Sequence, residues 1–261
     1  MATGRGKDSA NTHKLKPARE RGIPYNEFSR FMSSSATSMA RAARILEAPV
    51  GKKAVMALSG IVLFGFVLGH MLGNLQIYLP PGADGKHALD AYGEALHHNV
   101  PLLYGTRIVL LLSVLAHVTT AIQLAQRKNA ARPTPYVKQT AIVSTYASRT
   151  MYWSGPIILA FLIYHLLHFT TGQAHPDFQY LHVHDNVVKG FSVWYVSLFY
   201  IVAMAMLCMH LYHGVWSMFQ SLGFSHPQYT PKLKLAAKAF AGLIAAGNIS
   251  IPLSVLLGLV K

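Results

Sequence analysis

The sequence predicts an all-α protein that crosses a membrane five times. Of its 261 residues, 52% are hydrophobic and only 12% are charged, a balance too apolar for an ordinary soluble domain. Five apolar runs are each long enough, at about twenty residues, to cross a hydrocarbon core of roughly 30 Å. They occupy residues 54–79, 102–126, 151–172, 192–222 and 236–260. We expect the first four to form a helical bundle and the fifth to lie beside it.

The stretches between the runs carry residues that end helices. These residues are Pro80, Pro81 and Gly82 after the first run, Pro133 and Pro135 after the second, Pro176 after the third, and Pro227 and Pro231 after the fourth. Each run is therefore predicted to be a separate span.

The formal net charge of +14 raises the possibility of nucleic-acid binding. The basic residues, however, concentrate in the first 53 positions and between the apolar runs, and they form no stripe interleaved with exposed aromatic residues. This distribution favours contact with a lipid bilayer and argues against a nucleic-acid partner.

Residues 1–50 are predicted to be a cytoplasmic tail, and residues 51–261 the membrane domain. The tail has no apolar core before Val50, so it does not resemble a cleaved secretory signal, and its acidic residues disfavour a transit peptide. Its segment 28–45 has the pattern of a basic amphipathic helix. Lys and Arg are abundant after the second and fourth runs but balanced by acids after the first and third, which predicts a cytoplasmic N-terminus and an outer C-terminus.

Histidines lie inside the first four apolar runs. Ionisable residues at that depth are rare and are candidates for function, although a single one can equally serve as a hydrogen-bonding residue between helices. The six are His70, His117, His165, His168, His210 and His213. At least one on each of the first four runs favours a shared site.

The depth of these histidines follows from the 1.5 Å helical rise per residue. His70 and His165 lie roughly 21 to 24 Å from the cytoplasmic ends of their spans, and His117 and His210 roughly 22 to 27 Å from the outer ends of theirs. The sequence therefore predicts an outer pair, His70 with His165, and an inner pair, His117 with His210. Two such layers in a four-helix bundle are what two b-type haems with two imidazole ligands each require.

Small residues near these histidines would admit a macrocycle, although they are equally typical of close helix packing. They are Gly65, Gly69, Gly73, Ala116 and Gly214. The spacing H-x-x-H at His165 and His210 raises a non-haem metal site as an alternative. Such a site needs its ligands at one depth, and no apolar run contains Asp or Glu, so haem is favoured.

Histidines between the apolar runs form a separate group. We expect them to be solvated rather than ligating. They are His97, His98, His175, His182 and His184.

Four stretches of the chain, taken in order, resemble one family. They are GKKAVMALSGIVLFGFVLGHMLGNLQIY, RIVLLLSVLAHVTTAIQLAQRKNAARP, SRTMYWSGPIILAFLIYHLLHFT and MHLYHGVWSMFQSLG. Over residues 50–225 the chain resembles the five-helix, dihaem cytochrome b subunit of succinate:quinone oxidoreductases, which are succinate dehydrogenases or fumarate reductases.

The resemblance implies four haem ligands. It selects His70, four residues before Asn74, and His117 on the second span; it also selects His165, ten residues after Gly155, and His210, four residues before Gly214. His168 and His213 are then candidates for the haem surroundings or a quinone site. One departure is Cys208, because menaquinol-oxidising fumarate reductases of this family carry a membrane glutamate at that position.

The resemblance also implies partners and a role. A flavoprotein subunit, which holds the dicarboxylate site, and an iron-sulfur subunit would dock on the cytoplasmic face of a bacterial inner membrane. This chain would relay electrons through two haems to menaquinone or ubiquinone. The alternatives are a dihaem cytochrome b of another respiratory dehydrogenase, such as a hydrogenase or formate dehydrogenase, and a haem-free membrane transporter.

Basic residues near the span ends have two interpretations each. Arg107 is expected to bind an outer-haem propionate or to snorkel to the interface. A second group would meet an acidic partner or haem propionates, or simply set topology. It comprises Lys52, Lys53, Arg127, Lys128 and Arg149.

Overall fold

The structure is a computed structural model that describes residues 47–131 and 146–261, together with residues 40, 44 and 45. The side chains of residues 146–148 are excepted. The predicted amphipathic helix at 28–45 lies outside the described residues, apart from those isolated positions. The helices described below belong to one compact unit, Leu46–Lys261.

Every regular element among the described residues is helical. In chain order they are α1 (Pro49–Asn74) with a 3-10 turn (Leu75–Tyr78), α2 (Ala88–His98), α3 (Val100–Ala130), α4 (Tyr146–Phe169), α5 (Val183–Ser192), α6 (Trp194–Ser221) and α7 (Thr230–Leu256). Five of them, α1, α3, α4, α6 and α7, are long and apolar enough to cross a membrane. The predicted all-α fold with five spans is confirmed.

The last span begins and ends earlier than the hydropathy pattern predicted. α7 starts at Thr230 instead of residue 236, because Pro231 fits the first turn, where its missing N–H is not needed. Lys232 and Lys234 therefore lie on the helix and not in the preceding loop. α7 ends at Leu256, and Gly258 follows with a φ of +69° that favours glycine.

The arrangement of the first four spans defines two diagonals. α1 packs on both α3 and α6, and α6 also packs on α4. α1 is thus diagonal to α4, and α3 is diagonal to α6. α7 lies against α6 and α1, outside this four-helix bundle, as the sequence predicted for the fifth span.

Large apolar side chains on the spans point away from the protein interior. On α3, Leu111 is 61% exposed, and Leu112 and Leu115 are similarly uncovered. An apolar surface of this extent on long helices requires lipid instead of water. The molecule is therefore a multi-pass membrane protein.

Two short helices that the sequence analysis did not predict, α2 and α5, close one end of the bundle, which we call the cap face. The Oδ1 atom of Asp90 in the first turn of α2 accepts a 2.8 Å hydrogen bond from the backbone N–H of His184 on α5. A Cβ on Gly93 would lie 2.9 Å from Val183, so the two helices touch closely. Leu89 and Phe191 bury their side chains in one cluster with Tyr200 of α6.

The opposite end, which we call the basic face, carries the predicted docking cations. Lys52 donates to the Gln123 side chain, and Arg127 donates a 2.7 Å hydrogen bond to the backbone carbonyl of Glu47. Both contacts join α3 to the start of α1 and to Glu47, which precedes it. Lys52 and Arg127 therefore have a structural role, which is to hold the start of α1 against α3.

Candidate functional site

The four histidines selected from the sequence meet in two pairs. His70 on α1 faces His165 on α4, with ring centroids 5.7 Å apart and planes at 86°. His117 on α3 faces His210 on α6, with centroids 6.2 Å apart and planes at 57°. Each pair spans one diagonal of the bundle. We call His70 and His165 the cap-side pair, and His117 and His210 the base-side pair.

The two pairs lie at different depths. A Cβ on Gly60 of α1 would sit 3.5 Å from the His117 ring, which marks the base-side level on that helix. His70 follows Gly60 by ten residues, a rise of about 15 Å. The same separation appears on α4, where Ser154 contacts His210 and His165 lies eleven residues further on. The histidines are therefore arranged as two layers and not as one convergent metal site.

The separation of the rings within each pair suits an iron between two imidazoles. A metal–nitrogen bond of about 2 Å on each side, plus the distance from nitrogen to ring centre, separates the two centroids by roughly 6 Å. The observed 5.7 and 6.2 Å agree with that spacing. They exceed the separation of stacked rings, and they also fall within the range of edge-to-face ring contacts.

Three of the four histidines have a hydrogen-bond partner at Nδ1. His117 Nδ1 lies 3.2 Å from the Met56 carbonyl oxygen and 3.3 Å from Ser59 Oγ. His210 Nδ1 lies 3.4 Å from Ser154 Oγ, and His165 Nδ1 lies 3.3 Å from the Tyr200 hydroxyl. Metal-binding histidines usually engage their second ring nitrogen in this way, which leaves Nε2 for the metal. The residues present fit a haem-binding role.

His168 belongs to the cap face. It is 1% exposed, and its Nδ1 lies 3.1 Å from the same Tyr200 hydroxyl. Its ring stacks on His175 at 5.0 Å, and a Cβ on Gly190 would lie 2.9 Å from it. His168 is thus enclosed between α4, α5 and α6, whereas His165 faces its partner histidine across the bundle.

His213 has a different environment. Its Nδ1 and the Nε1 of Trp216 are buried atoms without a hydrogen-bond partner among the described residues. The two rings meet edge to face at 5.9 Å, and Lys234 Nζ lies 4.6 Å from the centre of the Trp216 ring. Buried polar groups normally have partners, so these atoms fit a site for a polar part of a bound group.

The glycines near the histidines divide into two kinds. A Cβ on some of them would meet no other atom within 4 Å, which leaves room for a macrocycle. These are Gly65, Gly69, Gly155 and Gly214. Gly73 is different, because its Cβ would lie 2.7 Å from the Tyr92 ring of α2. Its predicted role beside a macrocycle is replaced by close packing under the cap.

Arg107 lies on the exposed side of α3, with its guanidinium carbon 5.3 Å from the centre of the Tyr104 ring. A cation stacked on a tyrosine near the end of a span is typical of an interface anchor. This geometry favours the snorkelling interpretation, and its contact with a haem propionate stays a prediction.

Two histidines expected to be solvated are instead buried. His175 is covered, and its Nε2 lies 2.9 Å from the Asn186 carbonyl oxygen. His184 is only 4% exposed. The expectation was wrong for these two because α2 and α5 fold the connecting segments over the bundle. His98 is exposed, as expected, and His97 Nδ1 lies 2.8 Å from the Gly93 carbonyl oxygen.

Two ion pairs lie on the cap face, Lys86 with Glu94 and Lys189 with Asp177. The hydrogen bond from Lys86 to Glu94 raises the pKa of that ammonium group. The hydrogen bond from Lys189 lowers the pKa of the Asp177 carboxyl group. Each shift favours the charged form, so these groups stay charged near neutral pH.

Three contacts of the proposed ligands were not predicted from the sequence: Tyr200, Ser59 and Ser154. All three are polar residues inside apolar spans, which is visible in the sequence, and the structure buries them. Their partners are not visible in the sequence, because the contacts join residues 35 to 58 positions apart.

The fold and the two histidine layers define a multi-pass helical membrane protein with paired histidines inside the bundle. No family model, curated protein or solved structure matches the chain.

Proposed function

We propose that this protein is the membrane-anchor cytochrome b subunit of a succinate:quinone oxidoreductase and binds two b-type haems. The observation that carries the proposal is the pair of histidine layers. Each spans a diagonal of the bundle at a spacing of 5.7 or 6.2 Å that suits an iron between two imidazoles. Within this assignment His70 and His165 hold one haem, and His117 and His210 hold the other.

The surrounding residues orient the ligands. Met56, Ser59, Ser154 and Tyr200 each offer an oxygen to Nδ1 of a ligand, so that the proton stays on Nδ1 and Nε2 is left free for the iron. When bound, the two haems supply one-electron carriers across the membrane interior. The apolar spans around them exclude water and ions from that route.

The resemblance to the family supplies the partners. In this proposal the basic face is cytoplasmic and receives the iron-sulfur subunit, which in turn contacts the flavoprotein subunit where the dicarboxylate reacts. Lys52 and Arg127 hold the ends of α1 and α3 together at that face. The cap face would lie outside, and membrane menaquinone or ubiquinone would exchange electrons with this chain.

The first experiment is an optical spectrum of the purified full-length chain, reduced minus oxidised, with the haem content measured per chain. We expect the absorption bands of low-spin b-type haem and two haems per chain. A chain that expresses, inserts into the membrane and contains no haem would refute the proposal and favour a transporter.

A second experiment distinguishes succinate:quinone oxidoreductase from other dehydrogenases. Affinity-tagged chain is purified from its native membrane, and succinate, hydrogen and formate are tested separately as reductants of its haems. The proposal expects reduction by succinate and co-purification of a flavoprotein and an iron-sulfur protein. Reduction by hydrogen or formate alone would move the chain to another dehydrogenase.

A further inference from the structure

A second histidine group lies on the cap face, apart from the two layers in the bundle. The rings of His87 and His184 stack with centroids 3.6 Å apart and planes at 6°. Asp185 completes the group, and one ligand atom from each of the three residues lies within 4.8 Å of the others. His87 precedes α2, and the other two residues lie in the first turn of α5.

The donor set has the chemistry of a transition-metal site. Imidazole nitrogens suit zinc, copper, nickel and iron, and a carboxylate oxygen commonly completes two histidines on such an ion. Nδ1 of His184 and Oδ1 of Asp185 are 3.4 Å apart. Two ligands at about 2.1 Å on a tetrahedral ion are separated by about this distance.

The backbone that carries these residues is held in place. Asp90 Oδ1 accepts from the backbone N–H of His184 at 2.8 Å, and this fixes the start of α5 against the first turn of α2. One turn after Asp90, the close approach of Gly93 to Val183 also keeps α2 and α5 together. The imidazole lone pairs can reach one ion only if the stacked His87 and His184 rings tilt apart. The Asp185 side chain is exposed and the His87 ring is half-buried, which leaves both room to move.

The local charge is compatible with a cation. The starts of α2 and α5 direct their positive helix-dipole ends toward the group, which disfavours a cation. Asp90 and Asp185 place two carboxylates in the same first turns and oppose that effect. Imidazole binds a metal ion in its neutral form.

We propose that His87, His184 and Asp185 bind a divalent transition-metal ion, with zinc as the representative, and that this ion clips α2 to α5 above the bundle. Three protein ligands leave a fourth position for water. Hard ions such as magnesium are disfavoured, because two of the three donors are nitrogen. The site is independent of the proposed haem function, since no residue is shared with either histidine layer.

The test is a titration of the full-length chain, purified in detergent and freed of added metal, with zinc in competition with a chromogenic chelator. We expect one zinc ion per chain, and no competition from magnesium. His87→Ala and Asp185→Asn should each weaken zinc binding by at least about tenfold. His98→Ala is the matched control, because His98 is an exposed histidine at the far end of α2 from His87, and this variant should bind zinc as the unsubstituted chain does.

Cobalt provides a second measurement, because a four-coordinate site gives visible absorption bands that Asp185→Asn should change. Melting of each variant without metal shows whether it is folded, and zinc should raise the melting temperature of the parent chain and of His98→Ala only. The proposal is overturned if the chain takes up no stoichiometric zinc, if both site variants bind zinc as tightly as the parent, or if magnesium competes equally. Haem content is measured in every sample, and the metal titrations are compared only between samples of equal haem content, because haem absorbs visible light and a haem-free bundle leaves four further histidines open to the metal.

Discussion

The Tyr200 hydroxyl lies 3.3 Å from Nδ1 of His165. The same hydroxyl lies 3.1 Å from Nδ1 of His168. One hydroxyl proton can be donated to only one of these nitrogens, so the other nitrogen must donate to the oxygen. If His165 binds the proposed haem iron through Nε2, its Nδ1–H would donate to the Tyr200 hydroxyl, and that hydroxyl would donate to His168. Tyr200 thus links the proposed ligand to the cap.

The first prediction is that Tyr200→Phe raises the midpoint potential of one haem and leaves the haem content unchanged. The hydrogen bond from Nδ1–H makes the imidazole a stronger donor and stabilises ferric iron, so its removal favours the ferrous state. A bond worth about 0.5 to 1.5 kcal/mol corresponds to a shift of roughly 20 to 60 mV for one electron. A spectroscopic redox titration measures both haems separately.

Tyr164→Phe is the control for that measurement. This substitution also removes a hydroxyl group, from a tyrosine whose ring stacks on His168. No described hydrogen bond joins the Tyr164 hydroxyl to His165 or His168. Its potentials should match those of the parent chain. Equal shifts in both variants, or a fall in potential for Tyr200→Phe, would contradict the role assigned to Tyr200.

The second prediction concerns haem stoichiometry. Alanine at His70 or His165 should remove the same single haem, and alanine at His117 or His210 should remove the other, because each iron needs both of its imidazoles. Alanine at His168 should leave two haems. The measurement is haem per chain after extraction, with the spectrum showing which haem remains. Loss of haem in His168→Ala or His213→Ala, with both haems kept in His165→Ala and His210→Ala, would refute the assignment.

The third prediction uses the open space beside Gly214. A Cβ there meets no atom within 4 Å, so Gly214→Leu should insert into the membrane and fold. Its side chain would occupy the volume next to His210 that the proposal assigns to a macrocycle, and we expect loss of the base-side haem. Gly242→Leu on the exposed face of α7 adds the same side chain in open space and should keep both haems.

The fourth prediction separates packing from haem binding. Gly73→Ala would bring a Cβ to 2.7 Å from the Tyr92 ring, and we expect a loss of stability of about 1 to 3 kcal/mol from this overpacking. Haem content should not change. Gly242→Ala, with no neighbour near its Cβ, should be neutral or stabilising by up to about 1 kcal/mol. Thermal melting in detergent measures both, and equal melting temperatures would contradict the packing role of Gly73.

The fifth prediction concerns charge movement and rests on the proposed function. If quinone reacts near the cap-side haem, each electron from succinate moves across the membrane against roughly 2.3 kcal/mol per 100 mV. The spans contain no Asp or Glu to carry a compensating proton, and Cys208 packs in an apolar cluster with Met71 and Leu211. Succinate:quinone activity in sealed vesicles should slow under an opposing potential and recover with a protonophore. Rates that are identical at every imposed potential would exclude this mechanism.

Much of the fold could be predicted from the sequence because a lipid interior leaves few choices. An apolar run of about twenty residues must satisfy its own backbone hydrogen bonds, so it forms a helix that spans the membrane. The fixed rise per residue then sets the depth of each histidine. This is why the shared depth of His70 and His165, and of His117 and His210, follows from counting residues along four spans.

The connecting segments were less predictable. Short amphipathic helices such as α2 and α5 depend on a surface to pack against, and the sequence alone does not show that surface. Burial of His175 and His184 depends on this packing, and so does the close approach of Gly73 to Tyr92.

The sequence by itself determined the number of spans, their order and the depth of the histidines, since these depend on hydrophobicity and helical rise along one chain. Only the tertiary structure decided which helices lie on the diagonals of the bundle and which oxygens face each Nδ1. It also brought His87 from one connecting segment against His184 and Asp185 from another. Such contacts depend on helix rotation and side-chain packing between distant segments, and no local pattern in the sequence specifies them.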